Sequence, residues 1–178
     1  MLKSISLFGC AVVIVTVVGC SQSATEPTTE TAAPTSAVDG TQFVLTEEPE
    51  GASDVIQIRE DSADGDDVVI VGRIGGSENP WIDQQAAFTI VDNSLKACSD
   101  IPGDLCETPW DYCCQTDLLP TATALIKVVD DEGKLVSSDA RELLDVKELS
   151  TVVVKGKAQR DDEGNLTVLA SGVFVKKK

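Results

Sequence analysis

Residues 149–176, LSTVVVKGKAQRDDEGNLTVLASGVFVK, carry the pattern that decides the fold of this 178-residue chain. Two valine-rich runs flank RDDEGN, in which Gly164 and Asn165 suit the positive φ angles of a tight turn. The first run alternates between two sets of side chains, with Val152, Val154 and Ala158 on one face and Lys155 and Lys157 on the other. The pattern predicts a hairpin of two strands, each buried on one face.

Toward the amino terminus, three more runs of β-branched and apolar residues predict three strands. They are DDVVIVGRIGG at 66–76, AAFTIVD at 86–92 and ATALIKVVD at 122–130. Between the third strand and the hairpin, SSDARELLDV at 137–146 predicts a helix, with Ser137 or Ser138 as its N-cap. The short run VIQIRE at 55–60 fits either a strand or a short helix.

The order of three strands, a helix and two strands resembles the OB-fold, a five-stranded Greek-key barrel with a helix between strands three and four. Gly72, inside the first strand, fits the bend that lets one strand serve both sides of such a barrel. The resemblance rests on order and spacing and covers residues 55–178. We therefore expect a mainly β, OB-like barrel domain at residues 53–178, with a generic β-sandwich as the main alternative.

The first twenty residues, MLKSISLFGCAVVIVTVVGC, predict an export signal. Lys3 supplies positive charge, and the apolar stretch after it has the length of a signal-peptide core, too short for a comfortable membrane span. The ending VVGC resembles the bacterial lipobox, which implies a lipoprotein signal peptide at residues 1–19 and acylation of Cys20. Several acyl chains on one residue would anchor the protein stably to a membrane. A short N-terminal membrane helix is the alternative.

After the lipidated cysteine, residues 20–52 are expected to form a disordered linker. Ser, Thr, Ala, Pro and Glu dominate much of the segment, and apolar residues show no helical or strand period. The expected location is the bacterial cell envelope, with the folded domain outside the cytoplasm. Some bacteria read an aspartate directly after the lipidated cysteine as an inner-membrane retention signal. This chain has Ser21 at that position, which favours the outer membrane.

Charge and composition exclude several classes of function. The net charge of −16 disfavours a nucleic-acid partner, which would need a basic surface. The chain has no histidine, which removes Ser-His-Asp and Cys-His catalysis and histidine metal ligands. It also lacks a glycine-rich phosphate loop. We expect a protein that is not an enzyme and has no cofactor.

Four of the six cysteines lie in CSDIPGDLCETPWDYCC, inside a predicted insertion at residues 93–121. An exported protein meets an oxidising compartment, so structural disulfides among Cys98, Cys106, Cys113 and Cys114 are the preferred interpretation. Adjacent Cα atoms lie about 3.8 Å apart, below the roughly 4.4 Å that ordinary disulfides need, which disfavours a Cys113–Cys114 bond. Two pairings remain open: Cys98–Cys113 with Cys106–Cys114, or Cys98–Cys114 with Cys106–Cys113.

The same four cysteines suit a thiolate site for zinc or copper, which is the alternative interpretation. Their spacing differs from that of zinc fingers, whose first two cysteines are usually separated by two to four residues. A redox-active pair is a third interpretation. It lacks the C-x-x-C spacing and the cationic neighbours that lower the pKa of a thiol.

Three aromatic residues are candidates for a ligand-binding surface: Trp81, Trp110 and Tyr112. Trp81 is expected to be exposed in the loop after the first barrel strand, whereas Trp110 is expected to pack over the cysteine loop. The string TPWDYCC resembles cysteine loops of uncharacterised bacterial envelope lipoproteins, a resemblance that implies no activity. We expect a lipid-anchored binding or interaction module with an unknown envelope protein or glycan partner. A soft-metal binding lipoprotein is the alternative.

Overall fold

The valine-rich runs form the strands of a closed barrel. The computed structural model describes residues 38–177, and within them it contains six strands and three α-helices. The strands are β1 (Ser53–Asp54), β2 (Asp67–Ile74), β3 (Ala87–Val91), β4 (Thr123–Val128), β5 (Thr151–Arg160) and β6 (Leu166–Val175). The helices are α1 (Val55–Asp61), α2 (Leu119–Ala122) and α3 (Ala140–Leu144).

Strand pairing closes the barrel in the OB order. β2 pairs antiparallel with β3, β3 with β4, and β5 with both β6 and β2, while β4 runs parallel to β6. The short β1 is an additional strand parallel to β2, with Ser53 opposite Ile70. The predicted mainly β, OB-like barrel is therefore confirmed, with α3 between the third and fourth barrel strands. Its interior is mostly aliphatic, with Ile70, Ile126 and Val154 fully buried beside the aromatic ring of Phe88.

Gly72 stands where β2 changes partners. Residues 67–73 of β2 pair with β5, whereas Arg73 and Ile74 pair with β3. A Cβ atom on Gly72 would lie 2.8 Å from the carbonyl oxygen of Val91 and 3.1 Å from a methyl group of Val55. The bend predicted at this position therefore brings the β2 backbone too close to its neighbours for any side chain.

The ordered domain includes residues that the sequence assigned to the linker. Phe43 is 5% exposed and belongs to the hydrophobic core, and Leu45 donates its N–H to the Val173 carbonyl at 2.9 Å. Residues 43–45 thus pair with the end of β6, and the linker boundary predicted at residue 52 is wrong. Val38 and Val44 also pack against the core, and Lys176 forms an ion pair with Glu48.

Two local predictions are settled by hydrogen bonding. Residues 55–60 form α1, whose last turn is closed by the Ser62 N–H donating to the Ile58 carbonyl at 3.1 Å. The predicted serine N-caps of α3 are wrong. The cap is Asp139, whose carboxylate accepts the Arg141 N–H at 2.8 Å and also binds the Arg141 guanidinium. Asp139 directly precedes Ala140, the first helical residue, so its carboxylate reaches the free N–H groups of the first turn and its charge complements the helix dipole.

The predicted signal peptide at 1–19, the lipidation site Cys20 and most of the predicted linker lie outside the described residues. Within residues 38–177, no helix combines the length and the hydropathy that a membrane crossing requires.

Candidate metal centre

The cysteine loop connects β3 to β4 and is folded by its own backbone hydrogen bonds. Cys98 donates its N–H to the Asp111 carbonyl at 2.8 Å, and Ser99 donates to the Pro109 carbonyl at 2.9 Å. These two bonds place the early and late parts of the loop side by side. Cys98 begins one short 3-10 turn and Cys113 begins another, Cys113–Gln115. Two cysteines distant in sequence are thereby brought together.

Tyr112 fixes this paired segment to the barrel. Its side chain is fully buried in a second hydrophobic cluster with Val91, Leu95, Ala97 and Ala122. The ring lies over Gly75 at the end of β2, where an added Cβ would be 2.9 Å from Tyr112 Cε2. The loop therefore has a small core of its own that is continuous with one side of the barrel.

Two polar contacts secure the loop further. Arg73 on β2 forms an ion pair with Asp100, in which the guanidinium is mostly buried. The Trp110 Nε1–H donates to the Glu78 carbonyl at 2.9 Å. Both contacts join the cysteine loop to β2 and the loop that follows it, so the barrel sets the position of the cysteines at both ends of the loop.

Three sulfur atoms converge at the outer side of this scaffold. Those of Cys98, Cys106 and Cys113 all lie within 4.8 Å of one another. Cys98 is buried, Cys106 is half-buried and Cys113 is exposed, so the group lies at the surface with one sulfur on the protein side. The Cys98 and Cys113 sulfurs are 3.3 Å apart.

Cys106 reaches the group through local contacts. Its N–H donates to Asp104 Oδ1 at 2.7 Å, and its sulfur lies 3.4 Å from Thr108 Oγ1. Cys114 is placed differently from the other three: its sulfur is 3.7 Å from Asp104 Oδ2, and it does not belong to the convergent group. Asp104 thus contacts Cys106 through one carboxylate oxygen and Cys114 through the other.

The three thiols differ in acidity. Burial, followed by the hydrogen bond with Cys113, raises the pKa of Cys98 to about 12. Hydrogen bonds from the side chain and backbone of Thr108 lower the pKa of Cys106 below its ordinary value. The hydrogen bond with Cys98 lowers the pKa of Cys113, but burial and the neighbouring Cys114 and Cys106 outweigh it and raise that pKa. Of the three, Cys106 is the thiol most easily deprotonated.

The predicted disulfides are not formed in this structure. A disulfide requires about 2.05 Å between sulfurs, whereas the Cys98 and Cys113 sulfurs are 3.3 Å apart and all four described cysteines are free. The loop brings the sulfurs of Cys98, Cys106 and Cys113 into one group, and none of them is bonded to another. Three sulfurs around one ion at about 2.3 Å would lie about 4.0 Å from each other. The observed distances, 3.3 Å between Cys98 and Cys113 and at most 4.8 Å within the group, bracket this value.

The aromatic candidates do not form one exposed surface. Trp81 was expected to be exposed, but it is 5% exposed and belongs to the barrel core. Its Nε1–H donates to Glu148 Oε1 at 2.7 Å, and Arg141 covers its ring at 5.5 Å from the centroid. Tyr112 is fully buried, and Trp110 is half-buried, with its Nε1–H bound to the Glu78 carbonyl. A ligand surface made of these three residues is therefore excluded by burial.

Asp92, at the start of the loop, is an important residue that the sequence analysis missed. It is 3% exposed, and its carboxylate accepts hydrogen bonds from Ile56 N–H at 2.8 Å, Ser94 N–H at 2.9 Å and Ser94 Oγ at 2.6 Å. Burial raises its pKa, but these hydrogen bonds outweigh burial and lower the pKa below its usual value. The sequence signal was an aspartate two residues before a serine at a strand end, a pattern typical of side-chain-stabilised turns.

No protein-family model matches the sequence, and no curated protein matches it. Among solved structures, the chain is similar to an aspartyl-tRNA synthetase from Leishmania major Friedlin at 9% identity and a TM-score of 0.37, over 75% of this chain but 22% of that one. It is also similar to a DUF3299 family protein from Pseudomonas aeruginosa PAO1 at 13% identity and a TM-score of 0.33, over 79% of this chain and 95% of that one. Both likenesses are too distant to support a conclusion about function.

Proposed function

We propose that this protein is a lipid-anchored, non-enzymatic component of the bacterial cell envelope that binds a soft metal ion. The ion would be held by the sulfurs of Cys98, Cys106 and Cys113. The observation that carries the proposal is the convergence of these three sulfurs within 4.8 Å at the surface of an ordered loop. Thiolates are the protein ligands preferred by soft ions such as copper and zinc.

The anchoring part of the proposal rests on the amino-terminal sequence. A basic start, a short apolar stretch and VVGC support processing at residue 19 and acylation of Cys20. The membrane partner is then the lipid at Cys20. The net charge of −16 supports a partner that is not a nucleic acid. The proposed location is the outside of a bacterial membrane, with the outer membrane preferred.

A second candidate is an interaction module that is stapled by disulfides and binds an envelope protein or glycan. The 3.3 Å approach of the Cys98 and Cys113 sulfurs favours it, because oxidation would join these two with little movement. Cys106 and Cys114 would then form the second bond, both being in contact with Asp104. In this form no thiolate would remain for a metal ion.

One preparation separates these candidates. The full chain is expressed in a bacterial host, purified anaerobically from membranes in detergent, and analysed by intact mass, thiol titration and elemental analysis. Of the six cysteines, processing removes Cys10 and converts Cys20 to a thioether, which leaves 6 − 2 = 4 that can react. We expect an acylated chain beginning at Cys20, four thiols after denaturation in chelator, and one equivalent of soft metal in the native protein.

The alternative results are equally clear. A chain with no reactive thiol and no metal supports the stapled module and rejects the metal site. A chain that retains residues 1–19 and stays soluble rejects the anchor. A Cys20→Ser variant serves as the control for anchoring, because it removes the acylation site and leaves the four loop cysteines unchanged.

A further inference from the structure

We propose that the metal ion is Cu(I), held by three thiolates, with Cys114 outside the site. This inference rests on the metal site proposed above and adds the identity and coordination number of the ion. It is carried by the arrangement of the four sulfurs and of the single carboxylate that touches them.

The sulfurs of Cys113 and Cys114 have different partners, although the two residues are adjacent in sequence. Cys113 and Cys114 both lie in a 3-10 turn, in which successive side chains point about 120° apart. Cys113 therefore faces Cys98 and Cys106, while the sulfur of Cys114 faces Asp104 Oδ2 at 3.7 Å. Among the described residues, three sulfurs lie close enough together to share one ion, and the sulfur of Cys114 lies outside that group.

Zinc would need a fourth ligand in addition to the three sulfurs. Zn²⁺ in protein sites is almost always tetrahedral, with four ligands in structural sites. The chain has no histidine. Asp104 lies beside the cysteines, but it accepts the Cys106 N–H at 2.7 Å through Oδ1 and faces Cys114 through Oδ2. It is not among the groups that converge on the three sulfurs.

A group of three sulfurs matches the ligand preference of Cu(I). This soft, monovalent ion is selected by thiolate ligands and is satisfied by three of them. Among the described residues, the site supplies three sulfurs and no carboxylate oxygen. Exposure of Cys113 and partial exposure of Cys106 leave a path for the ion from solvent, while buried Cys98 provides the inner ligand. Binding requires the Cys98 and Cys113 sulfurs to open from 3.3 Å to about 4.0 Å.

The test uses the full processed chain in detergent, reduced and handled anaerobically. Cu(I) is titrated in competition with a chromophoric Cu(I) chelator, and Zn²⁺ is titrated separately against a zinc indicator. We expect one Cu(I) per chain with three sulfur ligands by X-ray absorption. Cys106→Ser and Cys113→Ser should each weaken Cu(I) binding by more than the roughly 100-fold that loss of an outer-shell partner costs. Both cysteines are at least partly exposed, so these variants should fold.

Cys114→Ser is the matched control, because it changes the neighbouring cysteine in the same turn. We expect its Cu(I) affinity to stay within about threefold of the unmodified chain. Loss of binding in Cys114→Ser equal to that in Cys113→Ser, or tight Zn²⁺ binding with four sulfurs, would overturn the Cu(I) assignment and leave the metal site standing. Failure of the reduced protein to bind either ion would reject both proposals.

Discussion

Replacing Gly75 with alanine tests whether packing of the loop on the barrel sets the geometry of the sulfurs. Gly75 has a backbone conformation that alanine can adopt, so the effect comes from space alone. An added Cβ would lie 2.8 Å from the Trp110 carbonyl oxygen and 2.9 Å from Tyr112 Cε2. The methyl group would therefore displace Trp110 and Tyr112, which lie just before the turn that begins at Cys113.

The magnitude follows from the overlap. Ordinary contacts of a Cβ begin at 3.4 Å, so the Trp110 carbonyl or the β2 backbone must withdraw by 3.4 − 2.8 = 0.6 Å. Overpacking of this kind costs about 1–3 kcal/mol, which lowers the melting temperature by about 3–9 °C for a domain of this size. Binding sites tolerate displacements of only about 0.5 Å. We therefore expect Gly75→Ala to weaken metal binding at least tenfold.

Gly72→Ala provides the matched control. It lies in β2, three residues before Gly75, and creates a similar clash, 2.8 Å from the Val91 carbonyl, but it touches neither Trp110 nor Tyr112. Thermal unfolding by circular dichroism and metal titration are measured on both variants. Equal loss of stability with weakened metal binding only in Gly75→Ala supports the reasoning. Unchanged metal affinity in Gly75→Ala would refute it, as would an unchanged melting temperature.

Three further changes have defined outcomes in urea denaturation. Asp92→Ala should lower the free energy of unfolding by about 2–4 kcal/mol, since it removes a charged acceptor of three hydrogen bonds. Because the folded pKa of Asp92 is lowered, this difference should be full above about pH 5 and shrink as pH falls through that pKa; a pH-independent difference would contradict the assignment. Phe43→Ala should cost about 3 kcal/mol if residues 38–52 belong to the fold, and less than about 0.5 kcal/mol if they do not. Tyr112→Phe should stabilise the domain by up to about 2 kcal/mol, since the buried hydroxyl has no hydrogen-bond partner in the described structure; destabilisation would show that it has one.

The barrel was predictable because alternation and strand order are local properties. The runs at β5 and β6 show a two-residue period, and the RDDEGN turn between them fixes the hairpin. Gly72 was a further local signal, because a glycine inside a strand predicts a bend or a close backbone approach. The number of strands and the position of α3 then left few ways to close a sheet of this size, and the OB order is the one observed.

The misplaced residues share one cause, which is dependence on distant partners. Trp81 contacts Phe88 on β3, but its indole N–H and one ring face are covered by Glu148 and Arg141, about sixty residues away, which its neighbours in sequence do not reveal. Phe43 is an isolated aromatic in a polar segment and finds the end of β6. The sulfur group likewise depends on pairing of residue 98 with residue 111, which cysteine spacing alone does not specify.

Different contacts hold the three convergent cysteines in place. Cys98 and Cys113 follow the barrel, since each adjoins a residue buried in the Tyr112 cluster or Tyr112 itself. Cys106 is held by Asp104 and Thr108 within the same loop, and its neighbour Leu105 is 94% exposed, so the tip has no packing on the core. The barrel therefore positions two of the sulfurs, whereas contacts within the loop position the third.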